Sequence, residues 1–573
     1  MPRIIETIRR YWGFDTLRPL QEEAIWAGLQ QRDSLVVLPT GGGKSLCYQV
    51  PPVLAKRTDI VVSPLISLMK DQVDGLRACG YPAAALHSGM TSEARREAER
   101  EIASGQCRLV FVAPERLLTP GFLRTVERLK VRAFAVDEAH CISHWGHDFR
   151  PEYRQMATLK ERFPQVGVQA YTATATARVR ADIVEQLQLQ DPAVLVGVFD
   201  RPNLVYRVVP RTDAHAQTLD VIRRHGGEAV IVYCLSRKDT EAMAGHLKRL
   251  GVKAEAYHAG MASDARRRIQ DSFADESLDV VVATVAFGMG IDRSDVRCVV
   301  HATMPKSVEH YQQETGRAGR DGLEAECVLF YSAADVMRWE ALIRRSAEEA
   351  EAPAEVIEAA VELLQRMRRF CSPAVCRHRA LSEYFGQVYD RADCGACDVC
   401  LDEVEGMADA TVTAQKILSC VARVQERFGA GHVTDVLLGA DTERVQRWGH
   451  DRLSTYGLMK GTPRQSLRNI VYQLVDQGLL FRSDGDRPVL GLTDESWRVL
   501  RGERSVRLLE PKAKPVKKTR VDRESWAGVD QALFEHLRGV RRELARERGV
   551  PPYIVFGDAS LRDMARRRPT SLD

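Results

Sequence analysis

Two short apolar runs, each ending in chemically specialised residues, constrain the fold of this chain more than any other feature. The first reads VVLPTGGGKS and ends with Lys44 and Ser45, and the second reads AFAVDEAH and contains Asp137 and Glu138. Strand-like runs that lead into such residues are typical of α/β nucleotide-binding folds. Together they predict a site that binds a nucleoside triphosphate with Mg²⁺ and hydrolyses it.

The first run is a candidate phosphate loop. Its glycines let backbone N–H groups close around phosphate oxygens, Lys44 can reach the β and γ oxygens, and the Ser45 hydroxyl can ligate Mg²⁺. Leu38 stands where the strict motif has its first glycine. The residues predicted to contact ATP here are Thr40, Gly41, Gly43, Lys44 and Ser45.

The second run supplies the acidic groups. Asp137 is placed to hold Mg²⁺, and Glu138 is placed to orient or deprotonate the attacking water. Lys44, Asp137 and Glu138 are therefore candidate catalytic residues.

A further nucleotide contact is predicted upstream, in the segment WGFDTLRPLQEEA. The Gln21 amide can read adenine N6 and N7 in bidentate fashion, while Phe14 and Arg18 stack on the ring. The alternative is that Gln21 is an ordinary surface residue of a helix.

Composition restricts the class of protein. At 573 residues the chain is too long for one core and predicts three to five domains. No apolar run is long enough to span a bilayer, so a membrane is not an expected partner. The net charge is only +4, so a surface that binds nucleic acid must be local. Most of the thirteen cysteines stand singly in apolar segments, which favours a cytoplasmic location, nucleoid-associated if the source is bacterial.

Four cysteines form a different pattern. Cys376, Cys394, Cys397 and Cys400 have the spacing C-x17-C-x2-C-x2-C, which lets consecutive thiolates turn toward one tetrahedral Zn²⁺ ion. Four thiolates close the coordination sphere, so the zinc is expected to be structural. The alternative is a disulfide cluster, although nothing indicates an exported protein. Cys371 is expected to pack in the preceding helix.

Alternating short apolar runs and helical stretches predict two α/β blocks, over about 30–190 and 200–340. The phosphate loop lies in the first block only. This arrangement predicts two parallel sheets with the nucleotide between them.

Residues 411–500 are predicted to form a small separate domain of helices followed by a hairpin around an Asp-Gly turn. One helix has Thr462 as its expected N-cap, Pro463 at its first position and Gly478 after its end. This pattern favours a winged helix, with Arg464 and Arg468 facing a DNA groove. A solvated helix face is the alternative.

The segment CISHWGHDFRPEY, directly after the acidic run, makes the chain resemble a RecQ-family DNA helicase of superfamily 2, from about residue 11 to about residue 505. In that family this aromatic-rich loop couples single-strand binding to ATP hydrolysis. The resemblance implies DNA contacts by His144, Trp145, Phe149 and Arg150, and these side chains offer stacking platforms and a cation.

The segment HYQQETGRAGRDG resembles a later motif of the same family. The resemblance implies that Gln313, Arg317 and Arg320 face the nucleotide across the cleft. Arg320 is our choice for the arginine finger and Arg317 for a second γ-phosphate contact, because a guanidinium neutralises charge that develops in the transition state.

The resemblance implies an ATP-dependent helicase that moves 3′ to 5′ on single-stranded DNA and unwinds duplex DNA, in repair and recombination. It also suggests a single-strand-binding protein as a partner through the winged helix. Two rivals are an RNA helicase, which shares the two-lobe engine, and a DNA-binding regulator that uses ATP only as a switch.

The domain boundaries expected on this basis combine two RecA-like lobes with smaller modules. They are 1–198 (ATP-binding lobe), 199–342 (second lobe), 343–406 (zinc-binding region), 407–507 (winged helix), 508–524 (linker) and 525–573 (partial helicase-and-RNase-D C-terminal segment). The last segment is expected to be dispensable for unwinding, the alternative being that its helices dock on the winged helix.

Overall fold

The computed structural model describes residues 2–64, 66–87, 89–288, 293–349, 353–371, 375–403, 406–483, 488–508 and 526–571. Among the helices in these ranges, none has the combination of length and apolar character that crossing a bilayer demands.

The first part of the chain, which we call lobe one, is a seven-stranded parallel sheet covered by helices. Its strands are β1 (Ser34–Val37), β2 (Asp59–Val62), β3 (Ala83–Leu86), β4 (Leu109–Val112), β5 (Ala133–Val136), β6 (Gly167–Thr172) and β7 (Ala193–Val196), in the order β3-β4-β2-β5-β6-β1-β7. Every residue of β1, β2, β4, β5 and β6 is buried. Strands buried on both faces appear in sequence as continuous apolar runs, which is why the runs predicted them.

The first two helices of lobe one precede β1, and the others connect its strands. They are α1 (Pro2–Trp12), α2 (Gln21–Leu29), α3 (Lys44–Leu54), α4 (Ile66–Ala78), α5 (Ser92–Ala103), α6 (Pro114–Leu117), α7 (Pro120–Leu129), α8 (Pro151–Arg154), α9 (Thr158–Arg162) and α10 (Ala177–Gln186), with 3-10 turns at Ala139–Ile142 and Gln155–Ala157.

A second parallel sheet, of six strands, forms lobe two. Its strands are β8 (Leu204–Pro210), β9 (Ala229–Tyr233), β10 (Ala254–Tyr257), β11 (Val280–Ala283), β12 (Val296–His301) and β13 (Ala325–Tyr331), in the order β10-β11-β9-β12-β13-β8. Its helices are α11 (Ala214–Arg224), α12 (Arg237–Arg249), α13 (Ser263–Ala274) and α14 (Val308–Thr315). The prediction of two parallel-sheet lobes is confirmed.

The cysteine-containing region packs on lobe two. It follows α15 (Ala333–Glu349) and α16 (Ala354–Phe370) and includes α17 (Arg377–Tyr384). Strand β8 is an edge strand, and its Tyr206 N–H donates to the Ala396 carbonyl at 3.1 Å while Asp398 N–H donates to the Tyr206 carbonyl at 2.9 Å. The region thereby covers a sheet edge that would otherwise present unpaired backbone groups.

Residues 406–508 form the predicted winged helix, with a core of their own. Its elements are α18 (Ala410–Arg423), α19 (Ala430–Leu438), α20 (Glu443–Arg447), a 3-10 turn (His450–Arg452), α21 (Arg464–Asp476), the antiparallel strands β14 (Leu480–Arg482) and β15 (Leu490–Leu492), and α22 (Asp494–Leu500). The expected Asp-Gly turn lies outside the described residues.

Two details of the winged helix differ from the sequence prediction. Helix α21 begins at Arg464 with Pro463 as its N-cap, one residue later than expected, and Thr462 makes no cap. The cause is that proline lacks an N–H to be capped and is tolerated at either position. Leu508, assigned to the linker, is fully buried in the winged-helix core, and the rest of that linker lies outside the described residues.

The C-terminal helices are α23 (Gln531–Arg548), α24 (Pro552–Val555) and α25 (Asp558–Arg567). They share a small core around Phe534 and Leu561. Arg541 forms buried ion pairs with Glu276 of lobe two at 2.7 Å and with Asp558 at 2.9 Å. The alternative expectation placed these helices on the winged helix. It is wrong about the site of docking, because the ion pairs hold them on lobe two.

Candidate nucleotide and nucleic-acid site

The phosphate loop connects β1 to the N-terminus of α3, where free backbone N–H groups favour an anion. Gly41 and Gly43 have φ of +81° and +78°, and a Cβ on Gly43 would collide with the Gln21 amide. These two positions therefore require glycine. The Lys44 ammonium donates to the Leu38 carbonyl at 3.1 Å, and desolvation lowers the pKa of Lys44 against the opposing effect of Glu138 and Asp137.

The acidic pair follows β5, two strands away from β1 in the sheet. Burial, reinforced by the neighbouring Glu138 carboxylate, raises the pKa of Asp137 to about 7. Two carboxylates crowded in a buried place disfavour carrying charge without a cation, which fits a divalent ion, and Asp137 and Ser45 are the predicted oxygen ligands. Glu138 has φ of +49°, and its carboxylate lies 3.3 Å from His140 Nδ1.

Two of the three predicted adenine-binding residues, Gln21 and Arg18, lie beside Gly43 of the phosphate loop. Gln21 is buried and uses its amide within the protein: Oε1 accepts from the Arg18 N–H at 2.7 Å, and Nε2 donates to the Gly43 carbonyl at 3.0 Å. Phe14 is exposed. The Gln21 amide therefore ties the upstream segment to the loop, and it retains one N–H and one lone pair for a base.

Lobe two contacts the phosphate loop with the segment that contains the candidate arginines. A Cβ on Gly41 would lie 3.6 Å from Arg320 Cγ, and one on Gly316 would lie 2.9 Å from Thr40 Cβ. Arg317 is buried and donates to the Gly288 carbonyl of its own lobe. Arg320 is thus the candidate arginine that lies at the loop.

Gln313 reaches across the cleft in a different direction. Its amide nitrogen donates to the Thr174 hydroxyl at 3.4 Å. Thr174 follows β6, the strand between β1 and β5. In this conformation Gln313 joins the two lobes rather than facing the phosphate loop.

The aromatic-rich loop is internally packed. His144 stacks on Phe149 with ring centroids 4.0 Å apart, and the Arg178 guanidinium lies 3.1 Å above the Trp145 ring. Arg150 pairs with the Asp148 carboxylate at 3.1 Å. A base that stacked on Trp145 from this side would have to displace Arg178.

The candidate DNA-facing helix α21 is partly engaged by the protein. Arg464 is half-exposed and pairs with Asp435, and Arg468 is half-buried. Asn469 donates to the Arg211 carbonyl of lobe two at 3.2 Å. One side of α21 therefore packs on lobe two, and its first turn stays accessible.

The four cysteines meet as their spacing predicts. The sulfurs of Cys376, Cys394, Cys397 and Cys400 all lie within 4.8 Å of one another. All thirteen cysteines belong to the described residues and are free thiols, which excludes the disulfide alternative here. The donor set fits a structural Zn²⁺ ion. Cys371 is buried in the core directly after α16, as expected.

Sequence reasoning missed His310, whose ring contacts the aromatic-rich loop. A signal was present, because His310 lies three residues before Gln313 on α14 and so shares its helix face. The ion pair between Arg464 and Asp435 joins residues distant in sequence, and no local pattern announces it.

Comparison with family models matches almost the whole chain. The matching models are DEAD/DEAH box helicase (residues 18–183), Helicase conserved C-terminal domain (213–322), RecQ zinc-binding (333–401), RQC domain (405–517) and HRDC domain (530–573).

Curated relatives match over nearly the full length. An "ATP-dependent DNA helicase RecQ" of Pasteurella multocida is 41% identical over 99% of this chain and 89% of its own length. The Haemophilus influenzae protein of the same description is 40% identical, over 100% and 91%. The Bacillus subtilis one is 39% identical, over 99% and 93%.

Among solved structures, the helicase MrfA bound to DNA has a TM-score of 0.50 at 18% identity, covering 71% of this chain and 61% of that one. At this identity the likeness concerns the fold alone.

Proposed function

This chain belongs to the RecQ family of ATP-dependent DNA helicases, and from that premise we propose that ATP hydrolysis between its lobes drives 3′-to-5′ movement along one DNA strand and unwinds the duplex ahead. Repair and recombination are the processes that such an activity serves in this family.

The observation that carries the proposal is the meeting of two segments across the cleft. The phosphate loop and the Asp137–Glu138 pair lie on lobe one, and the Arg320 segment of lobe two touches that loop. Lys44 binds the β and γ phosphates, Glu138 orients the attacking water, and Arg320 stabilises the transition-state charge. When bound, Mg²⁺ neutralises phosphate charge, and Ser45 and Asp137 are the residues that would hold it.

Lobe closure is the step that converts hydrolysis into movement. Gln313 and Arg317 are placed to respond to the nucleotide by exchanging their present partners, Thr174 and the Gly288 carbonyl, for phosphate oxygens. The aromatic-rich loop directly follows the acidic pair, so a strand bound there can report to the hydrolytic residues.

The remaining modules hold DNA and partners. Arg464 and Arg468 on the winged helix are proposed duplex contacts, and the cysteine cluster holds structural zinc. A single-strand-binding protein docking on the winged helix and a cytoplasmic, nucleoid-associated location belong to the same proposal.

The deciding experiment compares unwinding of 3′-tailed and 5′-tailed DNA duplexes with ATP, with matched RNA duplexes alongside. We expect unwinding of the 3′-tailed DNA only, and none by Lys44→Ala. Equal unwinding of both tails would contradict the polarity. DNA-stimulated ATP hydrolysis without strand separation would favour an ATP-dependent switch instead.

A further inference from the structure

Three histidine rings form a continuous stack across the cleft between the lobes. His140 and His147 of lobe one are nearly parallel, at 13°, with centroids 4.2 Å apart. His310 of lobe two meets the His147 ring edge-on, at 81° and 4.7 Å. Parallel offset and edge-to-face are the two favoured aromatic arrangements.

Each end of the stack is fixed within its own lobe. His140 Nδ1 lies 2.9 Å from the Thr172 hydroxyl and 3.3 Å from the Glu138 carboxylate, next to the water-orienting group. His310 Nδ1 lies 2.9 Å from the Ser307 hydroxyl, which also caps helix α14. Of these three rings, His147 alone has no hydroxyl contact within its own lobe in the described part of the chain. It belongs to the aromatic-rich loop.

The surroundings keep the rings neutral. Burial lowers the pKa of His140, His147 and His310, and the Lys306 ammonium adds to this for the last two. Opposing charge comes from Glu138 and Asp148, which act on His140, and Gln313 contributes a hydrogen bond to His147. Neutral rings stack without the repulsion that two imidazolium ions would suffer.

We propose that His310 is a positioning residue: its ring lets lobe two hold the aromatic-rich loop against His140, so that DNA-stimulated hydrolysis depends on an aromatic side chain at position 310. The inference rests on the proposed helicase function and deepens it. His310 acts through the His147 ring, which it meets edge-on. When the lobes move, this contact moves the loop that receives the single strand.

The test compares His310→Ala with His310→Phe. Phenylalanine keeps an edge-to-face ring, and Ser307 still caps the helix through the backbone N–H of residue 310. We expect a roughly three- to tenfold fall in DNA-stimulated kcat for the alanine variant, the range that one aromatic contact corresponds to. Basal hydrolysis and the KM for ATP should stay unchanged, and His310→Phe should restore the stimulated rate to within about twofold.

A matched control exists in the same lobe. His215 and His246 form a similar edge-to-face pair, 5.0 Å apart at 69°, between helices α11 and α12. His215→Ala removes a contact of the same kind that does not cross the cleft. It should leave DNA stimulation intact.

A second measurement reads the contact without relying on activity. The shifts in thermal unfolding midpoint of His147→Ala, His310→Ala and the double variant form a cycle, and the double shift should be smaller than the sum of the single shifts. Additive shifts, a fully stimulated His310→Ala enzyme, or a His310→Phe enzyme as impaired as the alanine variant would each overturn the proposal. A wild-type enzyme with no DNA stimulation would instead overturn the proposed function, while the cycle still decides whether the contact exists.

Discussion

At the scale of single residues, Lys44 is the side chain on which hydrolysis depends most directly. Within the described residues its ammonium donates one hydrogen bond, to the Leu38 carbonyl, so Lys44→Ala should leave the melting temperature nearly unchanged. Loss of a principal γ-phosphate contact should lower the ATPase rate about a thousandfold. Lys56, exposed just past the same helix, supplies a control variant, Lys56→Ala. Unwinding near the wild-type rate by Lys44→Ala would refute the site.

Trp145 tests the coupling between DNA and hydrolysis. We expect Trp145→Ala to reduce DNA-stimulated hydrolysis much more than basal hydrolysis, because its proposed partner is a base and base stacking contributes about 1–3 kcal/mol. Arg178 covers the ring, so Arg178→Ala should preserve or improve strand binding by uncovering it. Steady-state rates with and without single-stranded DNA measure both. An equal fall in the two rates would mean that Trp145 serves the core alone.

The buried histidines predict a dependence of stability on pH. The pKa values of His147 and His310 are lowered well below their usual value, so the unfolded chain binds more protons than the folded chain below about pH 6.5. Their neutral forms therefore contribute stability above that pH, and this contribution falls as the pH drops. Melting temperatures between pH 8 and pH 5.5 should show the fall, and His310→Phe should weaken it. A profile identical to that of the wild type would contradict this assignment.

At the scale of elements, the cysteine cluster stabilises more than its own loop. Its backbone pairs with strand β8 through Ala396 and Asp398, so losing the ion should also uncover that sheet edge. Cys397→Ser should give poorly folded or zinc-free protein and no selective catalytic defect, since structural zinc supplies folding free energy. Elemental analysis and melting temperature measure this, with Cys79→Ser at an exposed cysteine as the control. Well-folded wild-type protein without zinc would refute the assignment.

The elements that sequence predicted well are those whose signal is local. Strands β1 and β5 are buried on every residue and, apart from Ser34, apolar, and the glycines of the phosphate loop are required by positive φ. The spacing of the cysteines also encodes their meeting. By contrast, the contact of α21 with lobe two through Asn469 and the cover of Arg178 over Trp145 depend on packing between distant segments. Such contacts leave no periodic trace in the sequence.

At the scale of the whole molecule, the C-terminal helices are part of lobe two's surface. Glu276 is buried and accepts from Arg541 at 2.7 Å and from Arg542 at 2.9 Å. In the last helix, Asp558 and Arg562 lie close enough to the Arg297–Asp321 ion pair to interact with it electrostatically. Asp321 directly follows Arg320. The docked helices therefore interact electrostatically with the segment that touches the phosphate loop.

We therefore expect Glu276→Gln to release residues 526–571 from lobe two, because Arg541 and Arg542 both lose the buried carboxylate that pairs them with lobe two, while Asp558, the carboxylate that Arg541 keeps, belongs to the C-terminal helices themselves. Release should increase the radius of gyration in small-angle scattering and lower DNA-stimulated hydrolysis by about fivefold or less, the weak end of typical coupling between sites. Glu255→Gln is the matched control, since its partner Lys248 is half-exposed and such surface pairs contribute about 1 kcal/mol or less.

Deletion of 525–573 completes the argument, because it removes the buried arginines together with their helices and leaves Glu276 hydrated. If docking supports the Arg320 segment, the deletion should lower DNA-stimulated hydrolysis as much as Glu276→Gln does, with little further loss of stability in lobe two. An unchanged unwinding rate after deletion would restore the sequence-based expectation that the segment is dispensable. Normal rates for the deletion but not for Glu276→Gln would show that the released helices interfere rather than that the docked helices assist.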